Sequence, residues 1–539
     1  MRSQMIGRKK EICDRRNFLR SAGTAVAGAV LFPRIVMSKS IVSSENHIGV
    51  REVGLTESGS CLIAKIPERL LGFSPKYVWC PVPGRAHRTE PYTVPKTVKM
   101  GTHTTTEAAA KLTPPPFAVV VQNGDSKSLI CVGASAGKHL WNFVGFTVES
   151  TGVEVRIDFE GHTSLSKVKP HVKVIILPEE PNESSMSLLS RGLKILYPEA
   201  YEKSSTTEKP SWWYRPIYCG WGDQVGLMLD LEGPGSEARA LAYCTQGLYQ
   251  RWIDRLKKAD VPVGTIIIDA GWSEGGVWRP NPVQWPDLRG FVDAQHKEAR
   301  RVLLWIATWL HEGLPDRWCI HAGKTKLVAD PTNREYRSFM KENVYRLLSP
   351  KQGCFNADGF KIDQLRYIPS EHILTGGEQF GRTFELEQEN SNHKIKLSGT
   401  KWGCELLYQL QKDIYTAAKS AKPDALINSS TANPYFHDTL DMLRLHDTGS
   451  VPKDVFKAMK ARADLVRAAL PDALIDADNW IIRDYNQWLN YTLASYRLGV
   501  PCLFYTERFV NAIWKQPVTR PIEMEVLRNI GQTWQKLNL

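Results

Sequence analysis

Opposite charges stand close together in a short segment that otherwise suits the interior of a protein. In "DGFKIDQLRY", residues 358–367, Lys361 and Asp363 alternate with Phe360 and Ile362. Side chains two residues apart on a strand lie on the same face, so the lysine and the aspartate point the same way. A purely structural ion pair there is costly to desolvate and contributes little stability. The pair therefore indicates a functional site.

Acidic and aromatic residues recur at the ends of other predicted strands. These strand ends carry Asp269 and Trp272, Trp305 and Trp309, Asp447, Asp476 with Asp478 and Trp480, and Glu507. One acid at such a position can simply cap the helix that follows it. A ring of carboxylates among tryptophan rings instead suits glycoside hydrolysis, which uses one carboxylate as nucleophile or base and one carboxylic acid to protonate the leaving group. That chemistry requires no metal and no other cofactor.

Strand and helix patterns alternate after about residue 205, which is typical of βα units around a parallel sheet. Eight strand segments can be placed at 215–221, 264–272, 301–309, 359–364, 425–430, 441–447, 473–480 and 501–507. Helical patterns fall at 291–299, 333–348, 404–421, 454–470 and 485–498. The arrangement predicts a (β/α)8 TIM barrel, in which the carboxyl ends of the strands hold the active site. The longest loop, 365–400, is predicted to be a lid or a disordered segment.

The region before the barrel has a different pattern. Six short alternating apolar runs, "SCLIAKI", "KYVWCPV", "FAVVVQ", "SLICVGA", "VEVRIDF" and "HVKVIIL", are separated by turn-forming residues. Such runs are typical of an antiparallel β-sandwich. We therefore expect three regions: a signal segment with its linker at 1–45, a β-sandwich domain at 46–200 and the catalytic barrel at 201–539.

Positive charge is concentrated at the N-terminus. The chain has a net charge of +12, of which residues 1–40 supply +7 and the remainder only +5. No stripe of Lys/Arg interleaved with aromatic residues is present, so we expect no nucleic-acid partner. The paired Arg15 and Arg16 before a short apolar stretch at 21–32 resemble a bacterial twin-arginine signal; a basic tail on a buried helix is the alternative. The expectation is export to the periplasm or the medium, with no integral membrane domain because the stretch is too short to span a bilayer.

Cysteine spacing predicts neither a metal site nor a disulfide. The ten cysteines include no C-x-x-C pair and no Cys/His spacing suited to zinc. Export permits disulfides, but buried free thiols are the default interpretation.

Several of these segments resemble the α-galactosidase (melibiase) superfamily, whose members are retaining glycoside hydrolases with a (β/α)8 barrel. The resemblance rests on "IIIDAGW" at 266–272, "WPDLRG" at 285–290, Lys361-x-Asp363 and "DMLRLHD" at 441–447, which occur in the family's order. It extends over about residues 210–510. It implies that Asp363 is the nucleophile and that Asp447, at the end of the sixth strand, is the acid/base.

The resemblance also implies a set of substrate-binding residues. Asp269 matches an aspartate that holds outer hydroxyls of the terminal sugar, and Lys361 is expected both to keep Asp363 ionised and to hold a hydroxyl. With the residues at the other strand ends, the predicted set is Asp269, Trp272, Trp305, Lys361, Arg444, Asp478 and Trp480. Trp305 and Trp480 are candidates for stacking on the apolar face of the sugar, and core packing is the alternative for each. Arg444 and His446 flank Asp447; His446 faces away from Asp447 if the strand stays regular, and is therefore predicted to be a packing residue.

Two departures from the family pattern leave the sugar open. Ala270 replaces the second aspartate of a tandem pair, and the glycine-rich stretch after the fifth strand is replaced by "NSSTANPYFHD" at 428–438. We expect an exported retaining α-glycosidase that acts on an oligosaccharide or glycoside, with α-galactosidase as the best single prediction. The alternatives are an enzyme for N-acetylgalactosamine, glucose or a pentose, or a carbohydrate-binding barrel without catalysis. The sequence does not indicate the oligomeric state.

Overall fold

Alternating apolar and polar residues between 51 and 178 form two antiparallel sheets. The computed structural model describes residues 49–82, 90–101, 112–135, 143–159, 163–202, 208–307, 309–322, 325–365, 373–377, 383–387, 397–447, 454–511 and 516–536. The predicted signal segment at 1–45 lies outside these residues. In the strand Cys61–Pro67, Leu62, Ala64 and Ile66 are buried while Lys65 is exposed, as expected for a strand with one face on the core.

The strands of the two sheets come from the whole of this region. The first sheet runs in the order β1 (Arg51–Glu52), β11 (Val172–Pro178), β8 (Ser126–Ala134), β7 (Ala118–Asn123), β4 (Tyr77–Trp79) and β5 (Tyr92–Thr93). The second runs in the order β2 (Thr56–Ser58), β3 (Cys61–Pro67), β10 (Gly152–Asp158), β9 (Phe143–Glu149) and β6 (Lys96–Gly101). All six predicted runs form strands. The short helices α1 (Glu68–Leu71) and α2 (Leu165–Val168) and the longer α3 (Ser185–Leu196) accompany the sheets.

The second half of the chain closes into a barrel of eight parallel strands, as predicted. In barrel order these are β12 (Ile217–Cys219), β13 (Thr265–Ile268), β16 (Arg301–Ile306), β19 (Gly359–Ile362), β22 (Leu426–Ser429), β23 (Met442–Arg444), β24 (Leu474–Ala477) and β25 (Val500–Leu503). Closure occurs where β12 pairs with β25, at Ile217 and Cys502. The observed strands are shorter than the predicted segments, because the polar residues at their carboxyl ends lie in the loops beyond the last ladder pair.

Helices follow the barrel strands. They are α4 (Trp221–Glu232), α5 (Gln246–Lys258), α6 (Leu288–Lys297), α7 (Arg334–Leu348), α8 (Gly403–Ala421), α9 (Val455–Ala469), α10 (Tyr485–Ala494) and α11 (Met524–Gln535). The five predicted helices are present, whereas α3, α4, α5 and α11 were not predicted. Asn333, Asp454 and Asp484 cap α7, α9 and α10 through their side-chain oxygens.

Short hairpins and short 3-10 helices complete the described loops. The hairpins pair β14 (Ser273–Glu274) with β15 (Arg279–Pro280), β17 (Cys319–Ala322) with β18 (Thr325–Ala329), β20 (Ile373–Gly377) with β21 (Thr383–Glu387), and β26 (Arg508–Val510) with β27 (Thr519–Pro521). Turns of 3-10 helix lie at Lys169–His171, Pro198–Ala200, Ser211–Tyr214, Glu237–Tyr243, Asp316–Trp318, Pro434–Phe436 and Ser495–Arg497. The hairpin β20–β21 lies within the long loop predicted at 365–400.

The sheets and the barrel belong to one compact unit, residues 39–539. A proline-rich segment between β6 and β7 contacts the barrel's fifth βα loop, where the Asn433 side chain donates a hydrogen bond of 2.7 Å to the Pro115 carbonyl. None of the described helices combines the length and the hydropathy that a bilayer crossing requires. The nine cysteines in the described ranges are free thiols.

Candidate active site

Asp363 follows β19 directly and lies at the carboxyl end of the barrel. Its backbone N–H bonds the Ile306 carbonyl of the neighbouring strand at 2.9 Å, which fixes the residue at the rim. Oδ1 accepts from Arg444 Nη2 at 3.0 Å, from His446 Nε2 at 3.3 Å and from the Gln364 backbone at 2.8 Å. Oδ2 accepts from Trp305 Nε1 at 3.1 Å. One oxygen is therefore saturated by donors while the other retains lone-pair capacity.

The surroundings of Asp363 stabilise its ionised form. Burial on its own would raise the pKa of this carboxyl, but the Arg444 charge, the His446 hydrogen bond and the Lys361 charge outweigh burial and hold the pKa well below its usual value. The side chain keeps 20% of its surface exposed. Asp363 is thus an accessible carboxylate that remains ionised through the neutral range.

Arg444, on β23, joins three carboxylates beneath the rim. Nη2 bonds Asp363 as above, and Nη1 lies 2.8 Å from Asp478 Oδ2 and 3.4 Å from Asp447 Oδ1. The guanidinium is 2% exposed, against 15% for the side chain of Asp447. A buried cation therefore contacts two carboxylates that solvent can reach, Asp363 through Nη2 and Asp447 through Nη1.

His446 contacts both of these carboxylates, contrary to the prediction that it is a packing residue facing away from them. The chain leaves the strand after Arg444, and His446 takes a left-handed conformation with φ of 59°. Its Nδ1 accepts from the Asp447 backbone N–H at 2.9 Å and lies 3.2 Å from Asp447 Oδ1. Since Nδ1 is an acceptor in that bond, Nε2 is the ring nitrogen that donates to Asp363. The prediction was wrong because it assumed a regular strand.

Lys361 and Asp269 form an ion pair inside the barrel. Lys361 Nζ lies 2.6 Å from Asp269 Oδ2, and the two side chains are 3% and 4% exposed. Burial would lower the pKa of Lys361, but Asp269 and other neighbours raise it above its ordinary value. Asp269 also accepts from the Cys219 thiol at 3.0 Å, and burial raises the pKa of that thiol, so it remains a donor. Lys361 therefore bonds Asp269 directly and acts on Asp363 only through its charge.

The predicted aromatic residues are packed among other side chains. Trp305, 3% exposed, reaches Asp363 through its indole N–H, and its carbonyl accepts from Trp272 Nε1 at 2.7 Å. Trp272 has no exposed surface. Trp480 stacks on Phe504 with ring centroids 5.9 Å apart. Trp305 is the one of these three whose described contacts include the candidate nucleophile.

Two predicted strand-end acids, Asp478 and Asp476, are buried and make different contacts. Asp478 is fully buried and holds Arg444 while accepting from the Trp480 backbone at 2.7 Å. Asp476 lies beneath it on β24 and accepts from the Asn428 amide at 2.7 Å. Burial and the Asp478 charge raise the pKa of Asp476 to about 7. Asp441, at the opposite end of β23 from Asp447, accepts from Lys419 at 2.8 Å and from the Ile427 backbone at 2.9 Å, so it anchors the strand.

Within the described residues, no cluster of three His, Cys, Asp or Glu side chains is arranged to hold a metal ion. The site instead combines the buried pair Asp269 and Lys361 with two rim carboxylates, Asp363 and Asp447, that the buried Arg444 contacts from beneath. This arrangement can hold one carboxylate ionised beside a second one, with an imidazole and a guanidinium between them. Its components suit acid–base and nucleophilic chemistry on a neutral polar ligand.

Comparison of the fold with solved structures found several with the same architecture. The cycloalternan-degrading enzyme from Trueperella pyogenes superposes with a TM-score of 0.53 over 90% of this chain and 68% of that enzyme, at 13% identity. Its complex with a covalent intermediate gives 0.52 over 88% and 64%, also at 13% identity. The cycloalternan-forming enzyme from Listeria monocytogenes, in complex with a pentasaccharide substrate, gives 0.51 over 84% and 40%, at 11% identity.

At these identities the likeness establishes the fold, a closed parallel barrel preceded by antiparallel sheets. The chain spans about two thirds of the length of the first enzyme and well under half of the second. No protein-family profile matches the sequence. No curated protein matches it either.

Proposed function

We propose that this protein is a retaining α-glycosidase, with Asp363 as nucleophile and Asp447 as acid/base. The observation that carries the proposal is the relation of these two solvent-accessible carboxylates to one buried cation, Arg444. Retaining glycosidases need two carboxyl groups close together, one ionised and one able to exchange a proton. The ionised state of Asp363, the neighbouring acid and the rim position all agree with that requirement.

The proposed reaction has two displacements. Asp363 attacks the anomeric carbon and forms a glycosyl ester, while Asp447 gives its proton to the departing glycosidic oxygen. Asp447 then takes a proton from a water molecule, whose oxygen attacks the anomeric carbon and releases Asp363. Oδ2 is the attacking atom, because Oδ1 already accepts three hydrogen bonds and Oδ2 accepts one among the described contacts.

Two candidate sugars have specific support. An α-linked glucose is favoured by the solved neighbours, which include a cycloalternan-degrading enzyme in complex with isomaltose, a disaccharide of α-linked glucose. It is also favoured by Ala270, which is fully buried where the α-galactosidase pattern has a second aspartate, so no carboxylate there can bond an axial hydroxyl. Galactose is favoured by Lys361-x-Asp363, Asp269 and Asp447, which match the α-galactosidase order. A carbohydrate-binding barrel without catalysis is the alternative from a different class of protein. A protein that only binds sugar does not need an acid beside a nucleophile.

We also propose a β-sandwich domain before the barrel and export of the chain. Apolar residues of both antiparallel sheets belong to one continuous core that also includes barrel residues, and this burial of both sheets supports a β-sandwich domain at 46–200. The paired Arg15 and Arg16 support export by a twin-arginine route. Cell fractionation of the full chain with both arginines replaced by lysine tests this: loss of the exported form is expected, and unchanged export would contradict it.

The test of function is a panel of aryl α-glycosides, including glucoside, galactoside, N-acetylgalactosaminide and pentoside, assayed with three proteins. The wild type is expected to hydrolyse one of them with the α-anomer as first product, seen by NMR. Asp363→Ala is expected to lose that activity, whereas Asp464→Ala, which removes a surface carboxylate of α9, is expected to retain it. Turnover by Asp363→Ala at the wild-type rate would refute the proposed nucleophile, and no turnover of any sugar by the wild type would favour a binding protein.

A further inference from the structure

Arg462, in the middle of α9, is buried beside the segment that carries His446 and Asp447. The residue is 1% exposed. Its Nη1 atom donates to three consecutive backbone carbonyls, those of Leu445 at 3.0 Å, His446 at 2.8 Å and Asp447 at 2.8 Å. One guanidinium nitrogen therefore fixes the backbone of the whole segment between the end of β23 and the candidate acid/base.

Three consecutive carbonyls cannot converge on one atom in an extended strand, where successive carbonyls point in opposite directions. The convergence occurs here because His446 adopts the left-handed conformation, with φ of 59°. That conformation is unfavourable for a residue with a Cβ atom, so other contacts must hold it. The three hydrogen bonds from Arg462 are such contacts.

The same turn determines where the side chains of the site point. It brings His446 Nε2 to Asp363 and allows His446 Nδ1 to accept from the Asp447 backbone. It also brings Asp447 Oδ1 to Arg444. A regular strand would place His446 and Asp447 on opposite faces. The position of the acid relative to the nucleophile thus depends on a backbone turn whose carbonyls Arg462 holds.

We propose that Arg462 is a positioning residue for proton transfer, acting through the 445–447 backbone to hold Asp447 at the glycosidic oxygen. The inference rests on the proposed function, since it assigns Arg462 to the acid/base step of that reaction. Burial lowers the pKa of Arg462 to about 10, and Asp447 opposes this decrease. The guanidinium consequently remains charged at neutral pH and keeps its donors.

The effect of Arg462 can be distinguished from a general structural role by the leaving group. A phenyl glycoside needs a proton on its departing oxygen, whereas a 2,4-dinitrophenyl glycoside of the same sugar departs without one. A misplaced acid slows only the first, and general acid catalysis is worth about 10²–10⁴-fold. Loss of folded protein slows both equally.

The experiment measures kcat/KM, which reports formation of the glycosyl ester, for both glycosides of the sugar that the wild type accepts. For Arg462→Met we expect a loss of about 10²-fold on the phenyl glycoside and only a few-fold on the dinitrophenyl glycoside. Asp447→Ala should give the same signature, and Arg462→Lys, which restores a cation with donors, should recover part of the loss. Arg467→Met, which removes the arginine that bonds the Leu498 carbonyl from the same helix, should change neither value.

Equal losses on the two glycosides, or no loss on either, would overturn the proposal while leaving the proposed function intact. If the wild type hydrolyses no glycoside of any sugar tested, the proposed glycosidase function is contradicted, and the role proposed for Arg462 is contradicted with it. If circular dichroism shows that Arg462→Met is unfolded, kcat/KM of Arg462→Lys on the two glycosides is compared with that of the wild type. A loss confined to the phenyl glycoside supports the positioning role, and an equal loss on both glycosides or no loss refutes it.

Discussion

Lys361 lies 2.6 Å from Asp269 across the barrel interior, and the two side chains are almost completely buried. The lysine therefore belongs to an ion pair with the second barrel strand's aspartate, and it influences Asp363, two residues away, through charge alone. The two charges in "DGFKIDQLRY" therefore do not pair with each other: Lys361 bonds Asp269, and Asp363 bonds Arg444 and His446. Lys361 connects the substrate-binding candidate Asp269 with the candidate nucleophile in one electrostatic network.

Replacement of Lys361 by methionine should leave Asp269 as a buried charge without its cation. Breaking a buried pair in this way costs about 3–5 kcal/mol of unfolding free energy. Urea denaturation at pH 7 measures the loss. Lys460→Met serves as the control, because that lysine pairs with Asp464 on the surface and its removal should cost about 1 kcal/mol or less. Equal effects of the two substitutions would contradict the buried pair.

His446 should control the pH range of activity through Asp363. Its hydrogen bond helps to lower the pKa of Asp363, so removing the donor raises that pKa and protonates more of this candidate nucleophile at a given acidic pH. For His446→Phe, the acidic limb of the kcat/KM profile should move to higher pH. His446→Gln keeps an N–H donor and should move it less. Superimposable profiles for wild type and His446→Phe would show that this hydrogen bond has no catalytic role.

Asp476 should make the protein less stable as pH rises. Its pKa in the folded protein is about 7, whereas an unfolded aspartate titrates near 4. Between these values the folded state binds a proton that the unfolded state has released, so the unfolding free energy falls as pH increases through this window. Asp476→Asn should match the wild type at pH 4 and exceed it by about 2–4 kcal/mol at pH 8. A constant difference between the two proteins across pH 4–8 would mean that Asp476 does not titrate in this way.

Much of the barrel could be predicted because its strands are continuous apolar runs between polar loops. The positions of Asp363 and Asp447 follow from that pattern, since strand ends meet at one rim. The role of His446 could not be predicted, because its left-handed turn carries no glycine or asparagine that would signal it. The role of Arg462 could not be predicted either, because an amphipathic helix pattern does not distinguish an arginine that bonds three backbone carbonyls from one that faces solvent.

The partner of Lys361 was also hidden in the sequence. Asp269 directly follows β13 and Lys361 lies on β19, two strands separated in the barrel by β16, and only the closure of the barrel brings their side chains together. Periodicity indicates which face a residue occupies but not which residue lies across the interior. The strand pattern therefore predicted on which strand each charged residue lies but not that Lys361 forms an ion pair with Asp269.

Covalent labelling tests most directly whether Asp363 forms the bond to the sugar. Incubation of the wild type with an activated fluorinated glycoside of the accepted sugar slows release of the glycosyl ester, and peptide mapping by mass spectrometry then locates the sugar. We expect one sugar per chain, attached to Asp363 in the peptide containing 359–365, and no label in Asp363→Ala. A label on Asp447, Asp478 or Asp269, or hydrolysis with inversion and no label, would contradict it.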